Sequence, residues 1–351
     1  MRAGDFVRTA ALSNLQFPAR SIMHNYKLFL PAMLILIISS VCTAGSGTSA
    51  LTFLRIAPSA RAASMGETFT AVADDVNASY WNPAGTANLE TMQLSFMHMF
   101  YWDSSSYEYL AFAYPLNDKL KLGAHLACLN YGTIDKTLAG NSTVVGSFSP
   151  FDLVLAATAA YKLSGTLQAG VNIKFVTQTI DTDSVSILAF DGGLLYEIPS
   201  LLEAVGGRDF VIGAALSNLG GTVNGDSLPL TLRGGVSAKF GIQSENDLLL
   251  AATACYPFDS GALSENLGAE FSPEKEFVIR AGCKFGYDAG SFTAGLGYRG
   301  AIYGAFNFAV DYAYAPSGNL GDTHRISLGL TFDRENIARK SGSGAKTATK
   351  H

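Results

Sequence analysis

The sequence predicts an all-β protein, a transmembrane antiparallel β-barrel of about 14 strands, and three observations favour this fold class. Hydrophobic residues make up 48% of the 351 residues and charged residues only 15%, whereas soluble domains carry about 25% charged residues. Many segments of about ten residues, the length of a tilted membrane strand, alternate apolar positions with polar or glycine positions. Tyrosines stand at segment ends, where interfacial aromatic girdles are expected: Tyr101, Tyr161, Tyr196, Tyr256, Tyr287, Tyr298 and Tyr314.

Composition and charge exclude several other classes of protein. With 22 Phe, 15 Tyr and 2 Trp, the chain has too many aromatic residues for a disordered protein. The net charge of -5 offers no basic footprint, so we expect no nucleic-acid partner. A soluble β-sandwich also alternates and is the main alternative to a barrel. Lys and Arg beside glycine on the polar faces favour the barrel, because these residues suit a wet lumen and would destabilise a dry core.

The N-terminal residues 1–44 are predicted to be an export signal. The apolar run Leu28–Cys42 follows a lysine and has the length of a signal-peptide core rather than of a membrane helix. Small side chains at the end of this segment provide a cleavage site after residue 44. The residues before Met23 are atypical of a signal, and a compact basic stretch begins at Met23, so we expect translation to start there.

Residues 45–90 form a separate N-terminal segment without strand alternation. A short helix is predicted over 60–73, and the acidic pair Asp74–Asp75 ends it or turns the chain. Two adjacent acids point apart, and no further ligands follow at loop spacing. A capped turn or a salt bridge to an arginine such as Arg55 or Arg61 is therefore favoured over a cation site.

The stretch Asn82–Gly85 has strong turn chemistry. Pro83 fixes one backbone dihedral, Asn82 bonds its local backbone, and Gly85 permits a positive φ. Two interpretations stay open for this stretch. It is either a structural turn that plugs the barrel or a gate on a ligand path.

The barrel domain is predicted to span 91–332 as a single closed chain with an even number of strands. Closure matters because an open edge within the membrane would leave backbone groups without hydrogen-bond partners. The joins at about 131–150 and 198–208 are expected to be extracellular or lid-like loops, and the first two and the sixth strands alternate least cleanly. The predicted strands are 91–101, 106–115, 119–130, 151–162, 165–180, 184–197, 209–218, 229–240, 246–257, 264–272, 276–286, 290–299, 303–315 and 323–332.

Several charged residues fall on the predicted lumen faces of these strands. They attract an anionic head group, or they solvate the lumen and pair with one another and with acids such as Glu270. The predicted lumen charges are Arg233, Arg280, Lys284 and Asp311.

The order and spacing of four stretches carry a resemblance to a known family. Residues 59–66, 73–75, 80–85 and 324–332 resemble the PorV/PorQ family of outer-membrane proteins, within the wider group of FadL-type fatty-acid transporters. The resemblance implies a fourteen-stranded barrel whose N-terminal segment folds inward as a hatch. It also implies that the last strand closes the barrel and that Phe332 is a recognition signal for the insertion machinery. The implied hatch motif is Asp74, Asp75, Trp81, Asn82, Pro83, Ala84 and Gly85.

One departure from this family is the tail 333–351, which continues past the terminal aromatic residue of the barrel. It is rich in Gly, Ser, Ala and Lys, and we expect it to be disordered and periplasmic. We expect the mature chain to lie in the outer membrane of a Gram-negative-type envelope, in contact with outer-membrane lipid.

No catalytic or metal-binding pattern stands out. The chain contains no nucleophile elbow, no phosphate-cradling loop and no closely spaced histidine pair, and His98, His125 and His324 are scattered. The three cysteines after the signal are far apart and odd in number, so they predict neither a disulfide framework nor a metal site. We expect no enzyme activity, no cofactor and no metal.

Two functions remain open. The PorV-like resemblance implies type IX-like protein secretion and surface attachment, in which the barrel binds secreted cargo proteins and other secretion components. The alternative is a FadL-like transporter that passes hydrophobic small molecules through the hatch and sideways through the wall. The pairs Gly192–Gly193 and Gly234–Gly235 are candidate places for such an opening, because glycine weakens or bulges a strand.

The predicted start of translation is directly testable. N-terminal sequencing of the unprocessed precursor should begin at Met23, because the basic stretch of the signal begins there. A precursor that begins at Met1 would contradict this start.

Overall fold

The computed structural model describes most of the chain after the predicted signal. Predictions for the export signal over 1–44, for the start at Met23 and for the tail over 333–351 lie outside the described residues. No helix in the described part of the chain is long and apolar enough to cross a membrane. The described residues are 49–332, apart from 104, 139, 141, 200, 204–205, 243–245, 288–291, 303–305 and 317–320.

Short helical turns precede the first strand. Ser59 caps the first α-helix, because its hydroxyl accepts a hydrogen bond from the backbone N–H of Ala62. The helix predicted over 60–73 is wrong in its length: it ends at Ser64, and Gly66 follows in a left-handed conformation with φ 65°. The elements are the 3-10 helix η1 (Thr52–Arg55), α1 (Ala60–Ser64), α2 (Ala78–Trp81) and the 3-10 helix η2 (Pro83–Asn88).

Eighteen strands follow in the described part of the chain. They are β1 (Met92–Phe100), β2 (Ser106–Pro115), β3 (Leu120–Asn130), β4 (Ile134–Thr137), β5 (Val144–Phe148), β6 (Phe151–Lys162), β7 (Leu167–Ile180), β8 (Asp183–Glu197), β9 (Gly207–Gly220), β10 (Thr222–Val223), β11 (Asp226–Ser227), β12 (Thr231–Ile242), β13 (Asn246–Pro257), β14 (Ser264–Ser272), β15 (Phe277–Phe285), β16 (Phe292–Ile302), β17 (Phe306–Pro316) and β18 (Asp322–Phe332). Fourteen of them form one closed antiparallel barrel, which confirms the predicted fold class. The others form two small hairpins, β4 with β5 and β10 with β11.

The last strand closes the barrel against the first. β18 pairs with β1 from Phe332 opposite Met92 to His324 opposite Phe100. Every strand of the sheet therefore has two hydrogen-bonded neighbours, so no strand edge faces lipid.

The outer surface of the barrel is apolar, as a lipid-facing surface must be. On β15, Phe277 and Ile279 are 56% and 53% exposed, whereas Val278 and Arg280 beside them are buried on the inner side. The period-two alternation of the sequence thus separates a lipid face from an interior face.

The two ends of the barrel carry different connections. We call them the Phe332 end and the Asp322 end, after the last and first residues of β18. Because neighbouring strands run antiparallel, the join 131–150 and both small hairpins lie at the Asp322 end. The join predicted at 198–208 lies at the Phe332 end. The two joins therefore cannot both be extracellular, which corrects that expectation.

Residues 49–89, the inner segment, pack inside the barrel against inward-facing glycines of the wall. A Cβ atom at Gly193 would lie 2.0 Å from Asn82 Oδ1, and one at Gly282 would lie 2.1 Å from the backbone nitrogen of Gly66. Any side chain at these wall positions would therefore displace the inner segment. The six wall glycines with such contacts form a glycine belt: Gly170, Gly193, Gly213, Gly268, Gly282 and Gly295.

The neighbouring pair Gly192–Gly193 provides a matched test of the glycine belt. Gly193→Val should lower the free energy of unfolding by about 1–3 kcal/mol or expel the inner segment, because the new side chain overlaps Asn82. Gly192→Val should change it little, because a Cβ at Gly192 has no atom within 4 Å. Urea unfolding followed by tryptophan fluorescence measures both variants, and equal effects would contradict the role of the glycine belt.

Candidate functional site

Asn82 joins the inner segment to the barrel wall. Its side-chain NH2 donates to the Thr70 carbonyl at 2.8 Å and to the Leu194 carbonyl of β8 at 3.1 Å. Its Oδ1 accepts a hydrogen bond from the Ala84 N–H, so the same side chain also caps η2. Pro83 occupies the first position of η2, where its missing N–H costs nothing. The Asn-Pro-Ala-Gly turn thus docks on the wall with all four residues buried.

Gly85 is required by contacts within the inner segment itself. A Cβ there would lie 2.1 Å from the Ala73 carbonyl oxygen. Ala84 packs with Ala73 and Ala78 against Leu195 of the wall. Small residues in this stretch therefore allow two passes of the inner segment to lie against each other and against β8.

Arg61 holds the acidic pair of the inner segment and connects it to the wall. Its guanidinium lies 2.6 Å from Asp74 Oδ1, 3.0 Å from Asp75 Oδ2 and 2.8 Å from Glu270 Oε2 on β14. The salt bridge expected between the acidic pair and Arg55 or Arg61 is thus made by Arg61. Arg55 instead pairs with Asp259 in the turn after β13.

Glu270 extends this network across the wall. It accepts hydrogen bonds from Arg280 at 2.7 Å and from Arg299 at 3.0 Å, and Arg280 also bonds Asp311 at 2.7 Å. Two predicted lumen charges, Arg280 and Asp311, therefore meet in one ion-pair network with the inner segment. We call it the Arg61 cluster: Arg61, Asp74, Asp75, Glu270, Arg280, Arg299 and Asp311.

A cavity of about 540 Å³, lined by both charged and apolar residues, opens beside the Arg61 cluster at the Phe332 end. Asp74 is directed into it, with 51% of its side chain exposed. Every arginine of the Arg61 cluster has a carboxylate partner within 3.0 Å, so the charges at this end are neutralised in place.

The other two predicted lumen charges lie toward the Asp322 end. Lys284 Nζ is 2.6 Å from Glu67 Oε1 of the inner segment. Arg233 lies over the ring of Trp81, 5.7 Å from its centroid, and donates to Ser217 Oγ at 3.1 Å. Trp81, a residue of the predicted hatch motif, is fully buried in a cluster with Met65 and Phe69 of the inner segment.

Glu67 and Asp259, the carboxylates paired with Lys284 and Arg55, are held ionised by these partners. Burial raises the pKa of Glu67, but the Lys284 ammonium outweighs burial and holds that pKa below its ordinary value. Burial also raises the pKa of Asp259 in the turn after β13, but the hydrogen bond and the positive charge of Arg55 outweigh burial and hold that pKa below its ordinary value. Lys284 and Arg55 are therefore paired with charged carboxylates.

An apolar part of the interior was not predicted from the sequence. Leu51, Phe53 and Leu54 of the inner segment cover it, and all three are buried against it. It lies on the inner faces of β1, β2, β3 and β7. We call it the inner apolar wall: Met97, Met99, Tyr107, Tyr109, Leu129 and Val176.

The weak alternation of the first two strands is the signal that could have revealed this wall. On β1, Phe96 and Phe100 face outward while Met97 and Met99 are fully buried inside. A strand with apolar residues on both faces has no polar face to mark the lumen. The irregular pattern therefore marked the apolar interior rather than a poor strand.

The lumen also differs from the wet channel that the sequence suggested. Inward Lys and Arg residues such as Arg280 are buried under the inner segment, and ion pairs compensate several of them. No group of His, Cys, Asp and Glu within the described ranges has the arrangement of a metal site.

The two glycine pairs do not mark openings in the wall. Gly193 and Gly235 face the interior, and β12 pairs without interruption with β9 and β13 through Gly234 and Gly235. β7 pairs continuously with β8 through Gly192 and Gly193. Beside this pair, the pairing of β8 with β9 shifts by one residue, which is a β-bulge. At the bulge Asn218 has φ 66°, and its backbone N–H donates a hydrogen bond to Asp191 Oδ1.

Comparison with solved structures finds a similar barrel fold in two toluene transporters. It is similar to the Ralstonia pickettii toluene transporter TbuX, with a TM-score of 0.54 and 14% identity over 78% of this chain and 97% of that chain. It is also similar to the Pseudomonas putida toluene transporter TodX, with a TM-score of 0.52 and 11% identity over 77% of this chain and 96% of that chain. The chain shares the barrel fold of these two proteins. At these identities the likeness concerns the fold alone.

Sequence comparisons are less specific. The model of the Uncharacterised protein family UPF0164 matches residues 40–184, which include the inner segment and the strands from β1 to β7. No significant match is found among curated proteins. The FadL-type part of the resemblance agrees with the fold, and membership of the PorV/PorQ family stays a prediction.

The Arg61 cluster predicts a large loss of stability on removal of its central cation. Arg61→Gln should lower the free energy of unfolding by about 3 kcal/mol, because it leaves buried Glu270 and the acidic pair with fewer cations. Arg208→Gln removes the exposed ion pair with Asp247 at the same end, and should cost less than about 1 kcal/mol. Urea unfolding in detergent compares the two, and losses of equal size would contradict the role assigned to Arg61.

Proposed function

We propose that this protein is an outer-membrane channel for hydrophobic small molecules, with the inner segment as its hatch. The observation that carries the proposal is the inner apolar wall, which lies inside a membrane barrel and is covered by residues 51–54 of the inner segment. Longer joins at the Asp322 end favour an orientation in which this end faces outside the cell.

The inner apolar wall has the chemistry of a site for apolar ligands. Two methionines and two tyrosines supply a polarizable surface, and methionine adapts its shape to different apolar partners. A hydrophobic molecule would replace the contacts that Leu51, Phe53 and Leu54 now make. When these three residues move away, the bound ligand covers the inner apolar wall in their place, so the wall is not exposed to water.

Contacts of the inner segment differ on the two sides of the barrel. Toward β14, β15 and β16 it is held by three glycines of the glycine belt, Gly268, Gly282 and Gly295, and by the Arg61 cluster. Toward β1 and β2 it makes apolar contacts and three hydrogen bonds among the described residues, but no ion pair. These bonds run from the Val76 N–H to Gln93 Oε1, between the Ser79 and Tyr109 hydroxyls, and from the Tyr107 hydroxyl to the Ile56 carbonyl. The weaker side is the side where we expect the path to open.

The similar solved structures support the same function, since both are toluene transporters with this fold. The secretion function has less support. It rests on the stretches 59–66, 73–75, 80–85 and 324–332. The first three are mostly buried in the barrel interior, where a folded cargo protein has no access, and the fourth is the closing strand of the wall. We therefore place transport ahead of secretion and expect no enzyme activity.

A reversible crosslink tests whether the inner segment gates transport. The Thr70 Cβ lies 3.4 Å from an ideal Cβ at Gly235, close to the Cβ separation of a disulfide. The double variant Thr70→Cys with Gly235→Cys, in a background with the native cysteines replaced by alanine, should block uptake of radiolabelled toluene when oxidised. Reduction should restore uptake, because it frees the inner segment.

The matched control uses the neighbouring glycine. Thr70→Cys with Gly234→Cys cannot form the crosslink, because a Cβ at Gly234 has no atom within 4 Å. Its uptake should be the same under oxidising and reducing conditions. Full uptake by the oxidised Gly235 variant would contradict the hatch, and no uptake by the uncrosslinked protein in cells that lack other hydrocarbon channels would contradict transport.

A further inference from the structure

Two connected cavities at the Asp322 end have an excess of positive charge. The larger, of about 270 Å³, is lined by Arg325 and Lys284, and the smaller, of about 90 Å³, by Arg233. Arg55 and Glu67 line both cavities, so the two spaces adjoin. Neither cavity includes the inner apolar wall.

The charges of this region are not balanced among the described residues. Arg55 pairs with Asp259, and Lys284 pairs with Glu67. Arg233 and Arg325 have no described carboxylate within salt-bridge distance, although each is only 7% exposed. A buried guanidinium without a carboxylate is costly, so two of them in one region call for another anion.

Two of the arginines that line the larger cavity have unused hydrogen-bond donors. The Nε–H groups of Arg55 and Arg325 are buried and have no hydrogen-bond partner, and both side chains line the larger cavity. Arg325 makes one hydrogen bond, from Nη1 to Thr323 Oγ1 at 3.2 Å. An oxyanion in the cavity would supply acceptors to these two guanidinium groups, because a guanidinium binds oxyanions through several N–H groups at once.

We propose that these cavities form a binding site for an oxyanion, with Arg325, Arg233 and Lys284 as its cationic residues. The ligand carries a carboxylate, phosphate or sulfate group, either as a free ion or as the acidic group of an organic molecule. Glu67 lies among these cations and competes with the ligand for Lys284.

This site is separate from the inner apolar wall, and its binding can be measured without measuring transport. Its occupant binds through charge, whereas the inner apolar wall binds through apolar contact. The chain's two tryptophans report on it directly, because Trp102 lines the larger cavity and Trp81 the smaller one.

The experiment measures tryptophan fluorescence and thermal unfolding of the full-length protein in detergent. Inorganic phosphate and benzoate are the probes, benzyl alcohol is the uncharged counterpart of benzoate, and sodium chloride controls for ionic strength. Phosphate or benzoate should change the fluorescence and raise the unfolding temperature. Arg325→Gln and Arg233→Gln should each weaken binding about tenfold, because each removes a charge-assisted hydrogen bond.

Two further variants separate a binding site from a structural role. Glu67→Gln should tighten anion binding, because it removes the competing carboxylate. Arg208→Gln, which removes an exposed cation at the other end of the barrel, should bind like the unchanged protein. A merely structural role for the arginines predicts no gain from Glu67→Gln. Circular dichroism confirms that each variant is folded.

The binding of phosphate and benzoate distinguishes the two kinds of ligand and can also overturn the proposal. Phosphate binding without benzoate binding supports a site for a free ion, and tighter benzoate binding supports an organic acid. The proposal is overturned if neither anion binds above the chloride control, or if the Arg325 and Arg233 variants bind unchanged. It is also overturned if benzyl alcohol gives the same response as benzoate. Because no transport is measured, this result is independent of the hatch experiment.

Discussion

Close approach between the inner segment and the barrel wall is the constraint on which the rest of the interior depends. A closed wall of fourteen strands encloses a fixed space, and residues 49–89 occupy it. Backbone atoms of that segment lie where a Cβ of the wall would otherwise stand, as at Gly282 against Gly66. Glycine is the residue that permits this contact, and the high glycine content of the chain therefore has a specific place on the inner faces of the strands.

Because the backbone of the inner segment packs directly on the glycine belt, its side chains can make two other kinds of contact with the wall, ion pairs and apolar contacts. Arg61 turns toward β14 and neutralises acids of both the inner segment and the wall. Leu51 and Phe53 turn toward β1 and β2 and cover apolar residues. The barrel interior is thus divided into an ionic side and an apolar side, and a hydrophobic ligand competes only with the contacts on the apolar side.

Charge is also divided between the two ends of the barrel. At the Phe332 end, each arginine of the Arg61 cluster has a carboxylate partner, and the network rigidifies the contact between inner segment and wall. At the Asp322 end, Arg233 and Arg325 are buried without a described carboxylate. A protein that only needed stability would gain from replacing such residues, so their cost favours a role in binding.

The sequence by itself predicted a barrel of about 14 strands and put all but two of the strand ends within two residues of the observed ones, because alternation of period two is a local property of each segment. It also indicated that Arg61 or Arg55 pairs with the acidic pair, since these residues are near in sequence. Only the tertiary structure decided that Arg61 also bonds Glu270, more than 200 residues away, and that Met97 and Tyr109 form one wall. Partners of that kind depend on which strands close the barrel and on how the inner segment turns within it, and no local pattern contains that information.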